Sequence, residues 1–236
     1  MERFLFVILP YLVLAVFIIG MAYRIRKWVK TPQPGAVTLF PAPKPGSGLF
    51  WNVLKESFLF PDLFRGDKFF WSISWLFHAS LALIIIGHLR VVAGVFDRMF
   101  ISMGMSAEGI TRMSAVSGGA AGIIIMVAVA FLILRRLSLK RVREISLPAD
   151  YIALILILAI LITGNFMRFG EHFDLAQTRV FFYHLATFST AGVIVPPNSM
   201  FQIHFLLVQL LIVYIPFSKI LHFGGIFFTQ TIIQKS

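Results

Sequence analysis

The chain has 236 residues, of which 58% are hydrophobic and only 13% charged, whereas a soluble domain carries roughly 25% charged residues. Such a composition excludes an ordinary water-soluble globule, and the mean hydropathy of +0.88 points to an integral membrane protein. Cysteine is absent, which excludes disulfides, thiolate-held iron–sulfur clusters and covalently attached haem in this chain. The net charge of +11 would suit nucleic acid in a soluble protein. Here the excess collects in loops, as the positive-inside rule requires, and no nucleic-acid partner is expected.

Five apolar segments are long enough to cross a bilayer as helices of about 20 residues. They run from Phe4 to Tyr23, Trp71 to Val92, Met113 to Leu134, Tyr151 to Met167 and Phe201 to Phe217. The first has no short apolar core followed by a small-residue cleavage site, so it reads as a retained helix. A shorter apolar piece, Val180 to Val195, precedes the fifth span. Pro196 and Pro197 follow it and remove two backbone donors, so one unbroken helix is not expected there.

The expected fold is therefore all-α, a single membrane domain over residues 1–236 built as a five-helix bundle. The loops orient it. Residues 24–70, the 135–147 loop and the tail after the fifth span hold 15 of the 21 Lys and Arg residues, which puts that side in the cytoplasm. The N-terminus is then outside, the C-terminus inside, and the location a cytoplasmic membrane. In loop 24–70 the stretch from Pro32 to Gly48 is rich in proline and glycine and should be extended. Leu49 to Phe60 is apolar and aromatic and suits the membrane interface.

Polar residues inside apolar spans carry the functional signal, because an ionisable side chain in lipid needs a partner or a job. His78 and His88 share the second span, about 15 Å apart at helical rise and rotated by roughly 80°, so both can face one bundle interior. Gly87 beside His88 leaves room for a flat ring. His184 lies in the piece before the double proline and His204 near the start of the fifth span. Neutral imidazole ligates haem iron, and a b-type haem needs no cysteine, so four histidines suit two haems stacked across the membrane. Two other readings stay open: a His-lined metal or ion transporter, and a non-redox anchor whose histidines bond main-chain carbonyls. The spans hold almost no carboxylates, which weighs against a divalent-metal path. His172 lies in a polar outer stretch and reads as solvated, and His222 reads as an edge residue.

Several pieces in this order resemble the gamma-subunit family of respiratory nitrate reductases, dihaem cytochrome b membrane subunits. They are Phe77-His78 through Gly87-His88, the glycine-rich Ser117 to Gly122, the basic Leu134-Arg135-Arg136 and Arg141-Val142-Arg143, Ala149-Asp150, Ile203-His204, and Pro216 to His222. The resemblance implies that His78 and His204 ligate an inner haem, and His88 and His184 an outer one. By helical rise His204 lies about 22 Å before Lys219, but His78 only about 10 Å in from Trp71, so the first pairing requires tilt or a shifted helix boundary.

The resemblance further implies a quinol site beside the outer haem, with Arg112, six residues before Gly118, facing a quinone oxygen. The substrate would be menaquinone or ubiquinone. Arg90 and Arg98 are then propionate or headgroup partners, and Gly118 with Gly122 a close helix contact. The long proline-rich loop is more similar to cytochromes of heterodisulfide-reductase-like and dissimilatory sulfite-reductase-associated membrane complexes. The implied function is electron exchange between the quinone pool and a cytoplasmic iron–sulfur partner, alongside other subunits of an anaerobic respiratory complex.

Overall fold

The computed structural model describes residues 1–31, 47–92, 94–170 and 174–222. His172 and most of the proline-rich stretch lie outside the described residues. Among the described residues the protein is entirely helical, with ten α-helices and no strand. Five helical segments are long and apolar enough to cross a membrane: Phe4–Lys30, Lys68–Val92, Ala107–Ser138, Pro148–Phe169 and Ser199–Phe217. Each contains one of the five segments expected from hydropathy. Large apolar side chains on them face outward, among them Ile19 at 69%, Val127 at 60% and Ile155 at 58% exposure. In water these would cost hydrophobic free energy; against lipid tails they cost nothing.

The chain divides into two compact units, Met1–Leu12 with Leu76–Leu211, and Val13–Trp75 with the segment from Ile212 onward. The second unit holds most of α1 (Leu9–Lys30), then α2 (Ser47–Leu59) and α3 (Pro61–Gly66). Before α1 the helix widens into one π-type turn over Phe4–Ile8, closed by the Leu9 N–H on the Phe4 carbonyl. Pro10 lacks the N–H that Phe6 would need, and a widened turn absorbs such a gap. Phe60 takes a left-handed conformation (φ 47°) between α2 and α3. The Trp71 indole N–H donates to the Leu59 carbonyl at 2.6 Å, and its ring meets Phe64 edge-on. Later in the chain, Pro216 crosses α1 at Gly20, where an added β-carbon would lie 2.8 Å from the proline ring. Only glycine allows that approach.

The first unit contains most of α4 (Lys68–Val92), then α5 (Val95–Ser102), α6 (Ala107–Ser138), α7 (Lys140–Ile145), α8 (Pro148–Phe169), α9 (Leu175–Ala186) and α10 (Ser199–Tyr214). Helix starts are capped by short polar side chains. Ser106 accepts from Gly109 at 3.0 Å, Asp174 from Ala176 and Gln177, and Asn198 from Phe201 at 2.8 Å. At α8, Asp150 accepts from the Leu147 N–H at 3.0 Å. The stretch with Pro196 and Pro197 is non-helical and separates α9 from α10, as two missing donors predict.

Two contacts orient the helices around the site. The small residues of α6 meet α8 directly. Asn165 donates to the Gly122 carbonyl at 3.0 Å, and a β-carbon at Gly118 would lie 2.6 Å from the Arg168 guanidinium. The second contact is aromatic. Phe6, Phe181 and Phe201 are buried together with Val7 and Leu185, and Phe205 packs on them with ring centroids 5.9 Å from Phe181. Tyr11 donates to the Leu185 carbonyl at 2.8 Å. This wedge fixes the rotation of α10, and with it the direction in which His204, next to Phe205, points.

Candidate functional site

The continuous α4 carries both His78 and His88, so their separation along the axis is the expected 15 Å or so. His88 is four residues from the end of α4, and His204 is five residues from the start of α10. Successive crossings alternate in direction, so those two helix ends belong to one face of the membrane. The structure brings the two rings together. The His88 and His204 centroids lie 6.3 Å apart, with ring planes 11° from parallel.

The hydrogen bonds settle the tautomers. His88 Nδ1 lies 2.7 Å from the Ile84 carbonyl, and His204 Nδ1 lies 3.1 Å from the Ile160 carbonyl. A carbonyl only accepts, so Nδ1 carries the proton in both rings and Nε2 keeps its lone pair. The Thr163 hydroxyl, 2.9 Å from His204 Nδ1, gives its own proton to the Ile160 or Ala159 carbonyl, at 2.9 and 3.1 Å. Buried Thr163 thus holds the ring from beneath. Gly164 adds the room: a β-carbon there would stand 3.2 Å from His204 Cε1. Neither Nε2 has a hydrogen-bond partner among the described residues.

The 6.3 Å separation of the two rings is compatible with one metal ion between them. Two imidazoles bound at about 2.0 Å to opposite faces of one iron, each ring centre roughly 1.1 Å behind its nitrogen, have centroids about 6 Å apart. Among the described residues no three His, Cys, Asp or Glu side chains converge on one point. Two imidazoles alone would leave a metal's other positions to a macrocycle such as haem.

The family model for the nitrate reductase gamma subunit matches residues 61–232. The chain belongs to that family. The Bacillus subtilis nitrate reductase gamma chain is 25% identical, covering 91% of this chain and 87% of that protein. Two archaeal proteins are more similar. The "Hdr-like menaquinol oxidoreductase cytochrome b-like subunit" of Archaeoglobus fulgidus is 33% identical over 95% of this chain and 77% of its own length. Its counterpart from Archaeoglobus profundus is 32% identical over 97% and 78%. Membership in the nitrate reductase gamma subunit family, with five spanning helices, makes this a multi-pass membrane protein.

Within the family frame the other histidines fall in different surroundings. The resemblance pairs His88 with His184, but the ring standing against His88 is that of His204. His184 is half-buried near the end of α9, with Nδ1 3.1 Å from the Ser189 carbonyl in the following loop. His78 is half-buried on α4. His222 has its Nδ1 3.0 Å from the Lys219 carbonyl, one turn back.

The arginines also sort themselves. Asp97, on α5, is clasped by two of them: Arg90 Nε at 2.6 Å and an Arg179 terminal nitrogen at 2.5 Å. Arg179 Nε also donates to the Arg90 carbonyl at 3.0 Å, tying α9 to the end of α4 just past His88. The Arg90 hydrogen bond, aided by that from Arg179, holds the Asp97 carboxyl below the usual carboxylate range. Arg90 is therefore committed to a protein carboxylate. Arg112 is exposed on α6 and makes no hydrogen bond or ion pair among the described residues. Arg168 is the residue that sequence reasoning passed over. It lies one turn beyond Gly164 on α8, and its guanidinium crosses α6 at Gly118. The available signal was an arginine four residues after a glycine near the end of a span.

Proposed function

We propose that this chain is a membrane cytochrome b subunit that takes electrons from a quinol, menaquinol by the similarity to the archaeal relatives, and passes them to an iron–sulfur partner. The observation that carries the reading is the His88–His204 pair, 6.3 Å between centroids with both Nδ1 protons engaged. When bound, haem supplies a one-electron carrier, so a two-electron quinol is emptied in two single steps.

The chain's own residues do the rest. His88 and His204 would hold the haem iron through Nε2, and the Ile84 and Ile160 carbonyls at their Nδ1 atoms would raise their basicity and set their orientation. This replaces the pairing that the family resemblance implied for these two rings. For a second haem b, His78 remains the candidate ligand on α4. Single replacements of His184 and of His222 test whether either supplies a further ligand. Arg112, and with it Arg168, would donate hydrogen bonds to a quinone oxygen or a propionate and stabilise negative charge there. Two protons leave the quinol hydroxyls toward the outer aqueous phase.

The basic loops 24–70 and 135–147 form the proposed docking surface for a heterodisulfide-reductase-like or nitrate-reductase-like iron–sulfur subunit, on the cytoplasmic side of the cell membrane. Similarity to the two archaeal subunits favours the heterodisulfide-reductase-like partner. The test is a reduced-minus-oxidised spectrum with a haem assay on protein made with haem available. Two non-covalent haems per chain are expected, reducible by a menaquinol analogue; none would overturn the reading. Arg112→Ala should slow quinol-dependent reduction without changing haem content.

A further inference from the structure

Gln209 is a polar side chain enclosed in the apolar spanning segment Ser199–Phe217, only 3% exposed. Its Nε2 donates to the Leu5 carbonyl at 3.3 Å, and its Oε1 is enclosed with no donor among the described residues. A carbonyl only accepts, so the amide must face Leu5 with its nitrogen. Enclosing Oε1 without a partner costs free energy in apolar surroundings. A leucine of similar size would avoid that cost, so the donor half of the amide has a task.

The task is set by Leu5. In an α-helix its carbonyl would take the Leu9 N–H, but that group closes the widened turn on the Phe4 carbonyl. In the widened register the donor would be residue 10, and Pro10 has no N–H. Neither register of its own helix supplies a donor to Leu5. Gln209, 204 positions further along the chain, does.

That bond has a geometric consequence for α10. Phe201, Phe205 and Gln209 recur every four residues and form one stripe along the helix. Phe205 stacks on Phe6 with centroids 6.4 Å apart and planes 21° from parallel. Stacked rings hold the rotation of a helix, yet they slide past one another at little cost, because each atomic contact is weak and undirected. Lipid supplies no hydrophobic drive that would fix the height instead. A directed hydrogen bond to one carbonyl does fix it. His204 precedes Gln209 by five residues on the same helix, about 7.5 Å along the axis.

We propose that Gln209 is a positioning residue: its bond to Leu5 sets the height of α10 against the first spanning helix, and so the height at which His204 meets His88. Gln209 acts on the site only through the helix that carries both residues. The consequence at the haem rests on the electron-transfer reading; the consequence for helix register does not.

The test uses the full chain, made with haem available and held in phosphatidylcholine nanodiscs. Gln209→Met keeps the length and removes the donor. Gln209→Glu, neutral in apolar surroundings, regains an O–H donor. The chain has no cysteine, so spin labels at Ile8→Cys and Ile203→Cys, both exposed, report the register by pulsed electron paramagnetic resonance. Redox titration gives the midpoint potential of the haem that His204→Ala removes. Gln209→Met should displace the label distance and shift that potential with haem still bound, and Gln209→Glu should restore both. If Gln209→Met fails to fold, Gln209→Asn, an amide one methylene too short, gives the same two readings. An unchanged label distance overturns the proposal, and so does a displaced register with an unchanged potential. A wild type without haem would end the electron-transfer reading, and the label distance would still decide whether Gln209 sets the register.

Discussion

His204 lies across Gly164, its Cε1 3.2 Å from where a β-carbon would project, while its Nδ1 meets the hydroxyl of the neighbouring Thr163 at 2.9 Å. One residue of α8 makes room for the ring and the next orients it. Thr163→Val keeps the shape but leaves His204 Nδ1 with only the Ile160 carbonyl. Losing such a supporting bond costs about 10–100-fold in ligand-site affinity or activity. We expect Thr163→Val to retain the fold, lower haem occupancy and shift the midpoint potential of one haem, read by redox titration. An unchanged potential and occupancy would remove Thr163 from the site.

His88 and His204 should behave as one unit. His88→Ala and His204→Ala are each expected to remove the same spectroscopic haem, and the double variant no more than either single. Losses that add, with the double variant short of two haems, would show that each ring serves a different iron. His184→Ala, by contrast, should leave the haem of the His88–His204 pair intact.

The α6–α8 contact leaves no room for a side chain at Gly118 or Gly122. A methyl at residue 122 would run into the Asn165 amide, whose Cγ stands 3.2 Å from the β-carbon position and whose Oδ1 is nearer still. Gly122→Ala should cost about 1–3 kcal/mol by overpacking, measured as a lower midpoint of unfolding in detergent. The same change at Gly87, where a β-carbon meets nothing within 4 Å, should be tolerated by the fold. A lower haem content in Gly87→Ala would then report room needed by the macrocycle.

Asp97 gives the segment between α4 and α6 a pH dependence. Its carboxyl is held below the usual range by Arg90 and then Arg179, so its contribution to stability is fully present above the unfolded value of about 3.9 and is lost as pH falls through the folded value. Acid unfolding below about pH 4 should therefore be less steep in Asp97→Asn. At neutral pH that variant leaves two guanidinium groups facing a neutral amide, at a cost of about 3 kcal/mol. Equal acid sensitivity of variant and wild type would show that the clasp contributes nothing.

The spans were legible because hydrophobic thickness is a one-dimensional property: twenty apolar residues in a row, read against a fixed bilayer, name a helix. Phe4 to Tyr23 and Trp71 to Val92 needed nothing else. His88 and His204 stood out as candidates for the same reason, since imidazole in an apolar run is unusual. Their partnership was also within reach, since both lie four or five residues from helix ends on one face. The family resemblance pointed elsewhere, and only the observed ends of α4 and α10 made the depths comparable. Thr163, Arg168 and Asp97 left almost no trace, being ordinary polar residues near span ends whose roles depend on neighbours 41, 50 and 82 positions away.

Sequence alone thus determined that this chain lives in lipid, crosses it five times, and carries imidazoles where imidazole is costly unless used. Tertiary structure decided which imidazoles meet, which way each ring nitrogen faces, and which arginines are already spent on a carboxylate. The physical reason is that burial in a membrane depends on local composition. Coordination depends on the rotation and height of helices, and those are set by contacts such as Gly122 on Asn165 and Phe205 on Phe181, between residues far apart along the chain.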